Sequence, residues 1–512
     1  MTTTHLLPRT DPAAHGVDPA VLERLVGRLD QVRDVHSLLV LRHGAVVAEA
    51  WWDPFRAEEP HRMFSVSKSV TATAVGIAVA EGLLTTADRV VDLLPDDAPS
   101  DPGEHLAAMT VRDLLTMTSG HGTDTMNFTL RNLRKPGTSW ARDILAAHVL
   151  HTPGTRFVYN TGATYLLSAI LHRLTGERLL DWLAPRLFAP LGITGATWEQ
   201  CPRGIDVGGY GLTLTTEQLA VLGQLWLQRG RWGEEQLVPG AWVDEMTAAQ
   251  VPNGPDEKPD WEQGYGYQFW RCRYDAYRAD GAFGQFCVVA PALDAVVVLT
   301  SGTTDTETEL VAVLDALQQM SDGGTPTDGS GPAGTSSGAP WTPDDTLAVD
   351  LPQGAASTMM AALVEGSTFV LADHAVELPT GHGDEPGPGS PDDHGRELLR
   401  WHAVAVRHHG AQIALAWTTD EGEPWHEVRC GVGRWTTSQV ELAGEAVDVA
   451  GAAAWTDHDT LALRLLWRGT PFALEIELVF GGDGEGRHVE VAVDQNVSFG
   501  PTALLRATGL GV

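Results

Sequence analysis

Lysine is almost absent from this chain of 512 residues. Lys68, Lys135 and Lys258 are the only three, and arginine supplies the other 31 of its 34 basic residues. Basic charge of any kind is scarce, with 34 Lys and Arg against 67 Asp and Glu and a net charge of −33. Nucleic acids and anionic membranes both call for basic surface, so neither is expected as a partner, and the surplus acid reads as solvated surface. Cysteine is rare too. Cys201, Cys272, Cys287 and Cys430 lie far apart with no Cys-x-x-Cys pair, which points away from a disulfide framework and from a zinc site. No run of about 18 apolar residues is available to span a membrane. The opening MTTTHLLPRTDPAAHG lacks the basic and apolar regions of a signal peptide. The expected location is the cytoplasm, with no metal and no cofactor.

Apolar residues are plentiful, at 43% with seventeen tryptophans, so the chain is globular, and its length predicts two or three domains. After Met320 comes SDGGTPTDGSGPAGTSSGAP, an aperiodic Gly/Ser/Pro/Thr tract that reads as a flexible linker. The predicted division is therefore a domain over 1–320, a linker over 321–344 and a second domain over 345–512. Upstream, HSLLVLRHGAVVAEAWW predicts two strands turning at His43-Gly44, and GQFCVVAPALDAVVVLTSG two more joined at Pro291 to Asp294. Between them helices are predicted at about 19–33, 65–83, 111–118, 140–150, 161–175 and 179–186, with a last one at about 306–319. Strands at both ends predict an α+β domain whose terminal strands share one antiparallel sheet, flanked by helices and carrying an all-helical subdomain. Downstream the period is two: ALEIELVF, a GGDGEGR turn and HVEVAVDQNV form a clear hairpin, and WHAVAVRHHGAQIALAW and TLALRLLW behave alike. That tail is expected to be an all-β barrel or sandwich, with HGDEPGPGSPDDHG as an exposed acidic insertion.

Of the three lysines, two precede a proline in loop-like sequence, whereas Lys68 lies in FSVSKSVTATAVG, inside an otherwise apolar helical segment. A buried ammonium is costly unless it is paired or its pKa falls. Ser65 stands three residues earlier, on the same helical face and at the first turn, where free N–H groups favour developing negative charge. A serine needs a base within hydrogen-bond reach, and a desolvated lysine can supply one. The bland alternative is Ser65 as a helix cap with Lys68 snorkelling to the surface.

Further along, PGTRFVYNTG sets Tyr159, Asn160 and Thr161 just before an apolar helix, and ADGAFGQFCVV sets Ala282, Phe283, Gly284 and Gln285 at the opening of a strand. With VRDLLTMTSGHG, FAPLGITGATW, GYGLTLTTEQLAVLGQLWLQRGRW and GYGYQFW, the order of segments over roughly residues 15–320 resembles the serine β-lactamase-like hydrolases of class C type. These include family VIII esterases, D-aminopeptidases and 6-aminohexanoate oligomer hydrolases. The resemblance implies that Ser65 is the acylated nucleophile, Lys68 its general base and Tyr159 the tyrosine that relays a proton to the leaving group. It implies an oxyanion hole made by the backbone N–H groups of Ser65 and Gln285, and substrate contacts from Thr161, Asn160, Ala282, Phe283 and Gly284. His121 in TSGHG lies in a segment expected to border the pocket, with Trp270 and Phe283 as candidate walls of an acyl pocket. Two positions depart from the family pattern: Thr161 stands for the asparagine of Tyr-x-Asn, and Ala282 for the lysine or histidine of the third motif. Losing that cation removes a charge-assisted hydrogen bond to a substrate carboxylate, worth about 1.5–3 kcal/mol, so efficient β-lactam turnover is not expected. The reading is a serine hydrolase acting on a small ester or amide; self-association as a homo-oligomer stays open. The competing reading is a catalytically silent binding or scaffold protein that keeps the fold.

Overall fold

The runs on either side of His43-Gly44 are apolar at nearly every position, as strands buried on both faces require. In the computed structural model they are β1 (Val35–Arg42) and β2 (Ala45–Trp51), preceded by α1 (Pro19–Leu29). The structure describes residues 5–126, 137–254, 258–322, 338–354, 358–371, 401–442, 445–483, 486–499 and 502–512. Lys135, most of the Gly/Ser tract and the acidic insertion over 382–395 lie outside the described residues, as do 127–136 and 255–257.

By contacts the chain divides into two compact units: 1–51, 56–301 and 305–347 form one, and 52–55, 302–304 and 348–512 the other. In the first, α2 (Val66–Ala80), α3 (Thr161–Thr175) and α4 (Thr216–Leu227) lie between the terminal strands. After α4 come β3 (Trp270–Arg271), β4 (Tyr277–Gly281), β5 (Gln285–Ala290), β6 (Ala295–Ser301) and α5 (Thr306–Asp322). The sheet order is β2-β1-β6-β5-β4-β3, all antiparallel, so the two ends of the unit meet in one sheet with Leu39 opposite Val298. α1 packs against α5, and α4 lies across β1, β5 and β6. Gly223 allows that last approach: a Cβ there would stand 2.6 Å from Cys287 Sγ and Val296 Cγ1. Among the described residues, shorter α-helices lie at 90–93, 103–108, 111–115, 140–146, 179–183 and 240–247. The helices over 216–227 and 240–247 are absent from the expectations above.

In the second unit the tail is a closed barrel rather than a sandwich. Among the described residues ten strands run β7 (Thr368–Leu371), β8 (Ala403–His409), β9 (Gln412–Thr418), β10 (His426–Val432), β11 (Thr436–Leu442), β12 (Glu445–Trp455), β13 (Thr460–Trp467), β14 (Ala473–Asp483), β15 (Gly486–Gln495) and β16 (Ala503–Gly511). They pair in the order β10-β9-β8-β7-β16-β15-β14-β13-β12-β11, and a parallel pairing of β10 with β12 closes nine of them, leaving β11 outside. Trp417, Leu461, Leu465, Leu478 and Val493 are fully buried in it. Among the described residues, no helix is long and apolar enough to cross a membrane.

Candidate active site

Ser65 stands at the N-terminal end of α2 with no capping hydrogen bond from its side chain, and the residue before it, Phe64, holds φ = 45°. A left-handed φ at a bulky non-glycine residue costs of order 1–3 kcal/mol and persists only where packing imposes it. Here the Phe64 ring meets the Phe283 ring edge to face, centroids 5.4 Å apart. Phe283 itself holds φ = 64° in the turn joining β4 to β5. A Cβ added at Gly281, the last residue of β4, would overlap the carbonyl oxygen of Met63. The end of β4 is thus pressed against the loop that presents Ser65.

One turn into α2, Lys68 is 1% exposed. Its Nζ donates to Ser65 Oγ at 2.8 Å and to the carbonyl oxygen of Gly209 at 2.8 Å. Desolvation lowers the amine from 10.5 to about 8, against an opposing pull from Asp124 and Asp280. Gly209 approaches this closely because it has no side chain: a Cβ would stand 2.7 Å from Thr161 Cγ2 and 3.1 Å from Thr161 O. Tyr159 faces the same serine, to which its side chain is hydrogen-bonded, and Lys68 Nζ lies 4.9 Å from its ring centroid. Burial pushes the phenol above its ordinary value, and the bond to Ser65 opposes the shift. Tyr159 stacks on Trp270, centroids 5.5 Å apart and planes 29° apart, with Phe157 and Tyr265 completing an aromatic cluster.

Ser65, Lys68, Tyr159, Phe283 and Trp270 therefore come together, with Thr161 against Gly209. Asn160 is spent differently. It is fully buried, and its Oδ1 accepts from Thr125 N at 3.0 Å, Thr125 Oγ1 at 2.9 Å and Gly162 N at 3.0 Å, capping α3. His121 is 1% exposed, with Nδ1 3.0 Å from Ser119 Oγ and 3.5 Å from Asn160 Nδ2, and desolvation lowers it to about 4. Both lie behind the site, a neutral imidazole under a capping amide. Ala282 and Gly284 stay in the turn, while Gln285 stands beyond it in β5, opposite Gly281 and fully buried.

Three residues of the site have no precedent in the sequence reading. Gly209 supplies the carbonyl that orients Lys68. Asp124, whose Oδ1 accepts from Met126 N at 2.9 Å and Thr161 N at 3.0 Å, brings a negative charge close to the amine. Asp280 does the same while paired to Arg278 Nε at 2.8 Å. A buried amine of lowered pKa, a hydroxyl at hydrogen-bond distance from it and a phenol on one wall are groups that together can carry out acyl transfer to serine.

The Beta-lactamase family model matches residues 22–319, more than half of the chain, and the chain belongs to that family. A 6-aminohexanoate-dimer hydrolase from Paenarthrobacter ureafaciens is 26% identical over 330 residues, spanning 60% of this chain and 83% of that relative. Esterase EstB from Burkholderia gladioli is 30% identical over 219 residues, 36% of this chain and 53% of that one. A solved structure from Bacteroides dorei DSM 17855 is 19% identical with TM-score 0.50, over 60% of this chain and 99% of that one, and shares the fold. The protein is a serine hydrolase of the beta-lactamase family.

Proposed function

We propose that the protein cleaves small esters or amides through an acyl-enzyme on Ser65, with Lys68 as general base. One observation carries the reading: an amine 1% exposed, lowered to about 8, stands 2.8 Å from a serine hydroxyl. At pH 7 such an amine is neutral in roughly one molecule in ten, against a few in ten thousand for an unperturbed lysine. In the acylation step Ser65 Oγ bonds to the substrate carbonyl carbon while its proton passes to Lys68 Nζ. The resulting oxyanion is held by the backbone N–H groups of Ser65 and Gln285, the latter at the end of the turn that follows the Gly281 pressed against Met63. The carbon–oxygen or carbon–nitrogen bond to the leaving group then breaks, and the proton reaches that group from Lys68 through the Tyr159 hydroxyl. Water, deprotonated by the same pair, attacks the acyl carbon and releases Ser65. The opposite pKa directions of Lys68 and Tyr159 support this division, a base that gives up its proton and a phenol that keeps its own. Ala282 offers no cation to a substrate carboxylate, so a β-lactam carboxylate is a poor fit. Four free, buried cysteines accord with action in the cytoplasm.

The test is covalent labelling by a fluorophosphonate together with p-nitrophenyl acetate turnover. Ser65→Ala is expected to abolish labelling, and Lys68→Ala to slow it by roughly 10²- to 10⁴-fold. Undiminished labelling in both variants would refute the assignment. An inert wild type would favour the silent scaffold.

A further inference from the structure

The turn over 282–284 rests on a wholly buried polar layer that the acylation scheme leaves unused. The two protons of Gln285 Nε2 are shared among the carbonyl oxygens of Ala282 at 3.1 Å, Phe283 at 3.1 Å and Ser301 at 2.8 Å. From β6, Ser301 Oγ lies 2.9 Å from Phe283 O and 3.1 Å from Gly284 O, donating toward this pair. All three carbonyls of the turn are therefore held on the buried side. In a planar trans peptide the N–H points opposite to the C=O of the preceding residue, so pinning the Gly284 carbonyl also fixes where the N–H of Gln285 aims.

Behind Ser301 stands Glu309, in the first turn of α5 and 0% exposed. A Cβ at Gly284 would overlap both Ser301 Oγ and Glu309 Oε2, so the two oxygens crowd the same point beneath the turn. Neither carboxyl oxygen of Glu309 receives a hydrogen bond. Ser301 has one hydroxyl proton, already directed at the turn carbonyls, and none left for a carboxylate. A fully buried carboxylate without a donor is not sustainable, and desolvation drives this group well above its ordinary value. A neutral acid has one proton to give, and the lone pairs of Ser301 Oγ are there to accept it.

We propose that Glu309 is a positioning residue, an uncharged acid that donates to Ser301 Oγ and so locks the 282–284 turn in the orientation that serves the oxyanion. The inference rests on the acyl-enzyme reading above. It adds to that reading a relay from the first turn of α5 to the backbone that binds the transition state: Glu309 to Ser301, Ser301 to the Phe283 and Gly284 carbonyls. A relay of this kind acts on the transition state and leaves ground-state binding alone.

The experiment uses the full chain and p-nitrophenyl acetate, with Glu309→Gln, Glu309→Leu and Ser301→Ala. Glu309→Leu is expected to lower kcat roughly 10- to 100-fold while KM stays within about twofold, because a tilted turn costs transition-state contacts alone. Glu309→Gln keeps a neutral donor of the same shape, and its kcat is expected within about threefold of wild type. Where the leucine variant fails to fold, Ser301→Ala carries the same expectation of reduced kcat at unchanged KM. Wild-type kcat in Glu309→Leu or in Ser301→Ala would overturn the proposal, as would a glutamine variant as impaired as the leucine one. Fluorophosphonate labelling separates this failure from a deeper one: a labelled wild type with unaffected variants sinks only the relay, and an unlabelled wild type sinks both readings.

Discussion

Lys68 is held in a state that costs the fold something, and the cost has a sign in pH. With the amine at about 8 in the folded protein and 10.5 when exposed, the penalty is fully present below pH 8. It is relieved as pH climbs toward 10.5, because there the unfolded chain binds the proton that the folded one has released. The size is about 3 kcal/mol, from the shift alone. Lys68→Met removes the amine along with its bonds to Ser65 and Gly209, so its absolute stability mixes two effects. The difference between variant and wild type does not: measured by denaturant unfolding, the variant's advantage is expected to shrink by about 3 kcal/mol between pH 7 and pH 10.5. A pH-independent difference would mean that the amine is not perturbed. Catalysis reports the same group from the other side. kcat/KM should rise with pH through an apparent pKa near 8, since only the neutral amine takes a proton. Asp124 pulls that value upward. Asp124→Asn keeps an oxygen for the Met126 and Thr161 N–H groups and loses the charge, so the acid limb should move to lower pH. An unmoved limb would detach Asp124 from the base.

At the scale of elements, the site is made by three backbones that approach closely: α2 with its strained entry at Phe64, the Gly209 segment, and the end of β4. Gly281→Ala tests the last of these. A Cβ there overlaps Met63 O, whose amide neighbours lead straight into Ser65, and a backbone oxygen cannot move aside as a side-chain tip can. The expected result is a loss of kcat of roughly 100-fold, larger than the accompanying loss of stability would explain. Acylation at the wild-type rate would show that β4 does not set the position of the nucleophile. These approaches also explain what the sequence makes legible. The terminal strands are long apolar runs with a sharp turn, and the helix over 161–175 is framed by Asn160 and Gly176, so both can be read locally. Lys68 stands out because lysine is so scarce. The carbonyl of Gly209 lies 141 residues from Lys68, and nothing in either segment announces the meeting. Asn160 misleads for the opposite reason: as a polar residue next to Tyr159 it looks like a substrate contact, whereas its place before an apolar helix is that of a cap. Glu309 hides among the acidic residues of TETEL, where charge normally complements a helix N-terminus. The helix over 216–227 is apolar almost all round, which blurs the one-sided period that would have marked it.

Across the whole molecule, electrostatics work against compaction. Residues 341–512 carry 26 acidic and 9 basic side chains, a net of −17, so arginine can neutralise barely a third of the acid even if every pair forms. The pairs that do form in the barrel are largely solvent-facing: Arg407 with Glu427 at 3.1 Å, and Arg506 with Asp494 at 2.7 Å. Exposed pairs contribute about 0–1 kcal/mol each, and salt weakens them. Salt also weakens the repulsion among the unpaired carboxylates, at separations beyond about 8–10 Å where screening acts most strongly. With a net charge of −33 the repulsive contacts outnumber the attractive ones, so screening should favour the folded state on balance. The melting temperature is therefore expected to rise when sodium chloride goes from about 20 mM to about 300 mM, followed by tryptophan fluorescence at neutral pH. A melting temperature that falls over that range would mean that the few ion pairs outweigh the acid surplus. The acid would then be arranged to serve specific contacts rather than left as solvated surface.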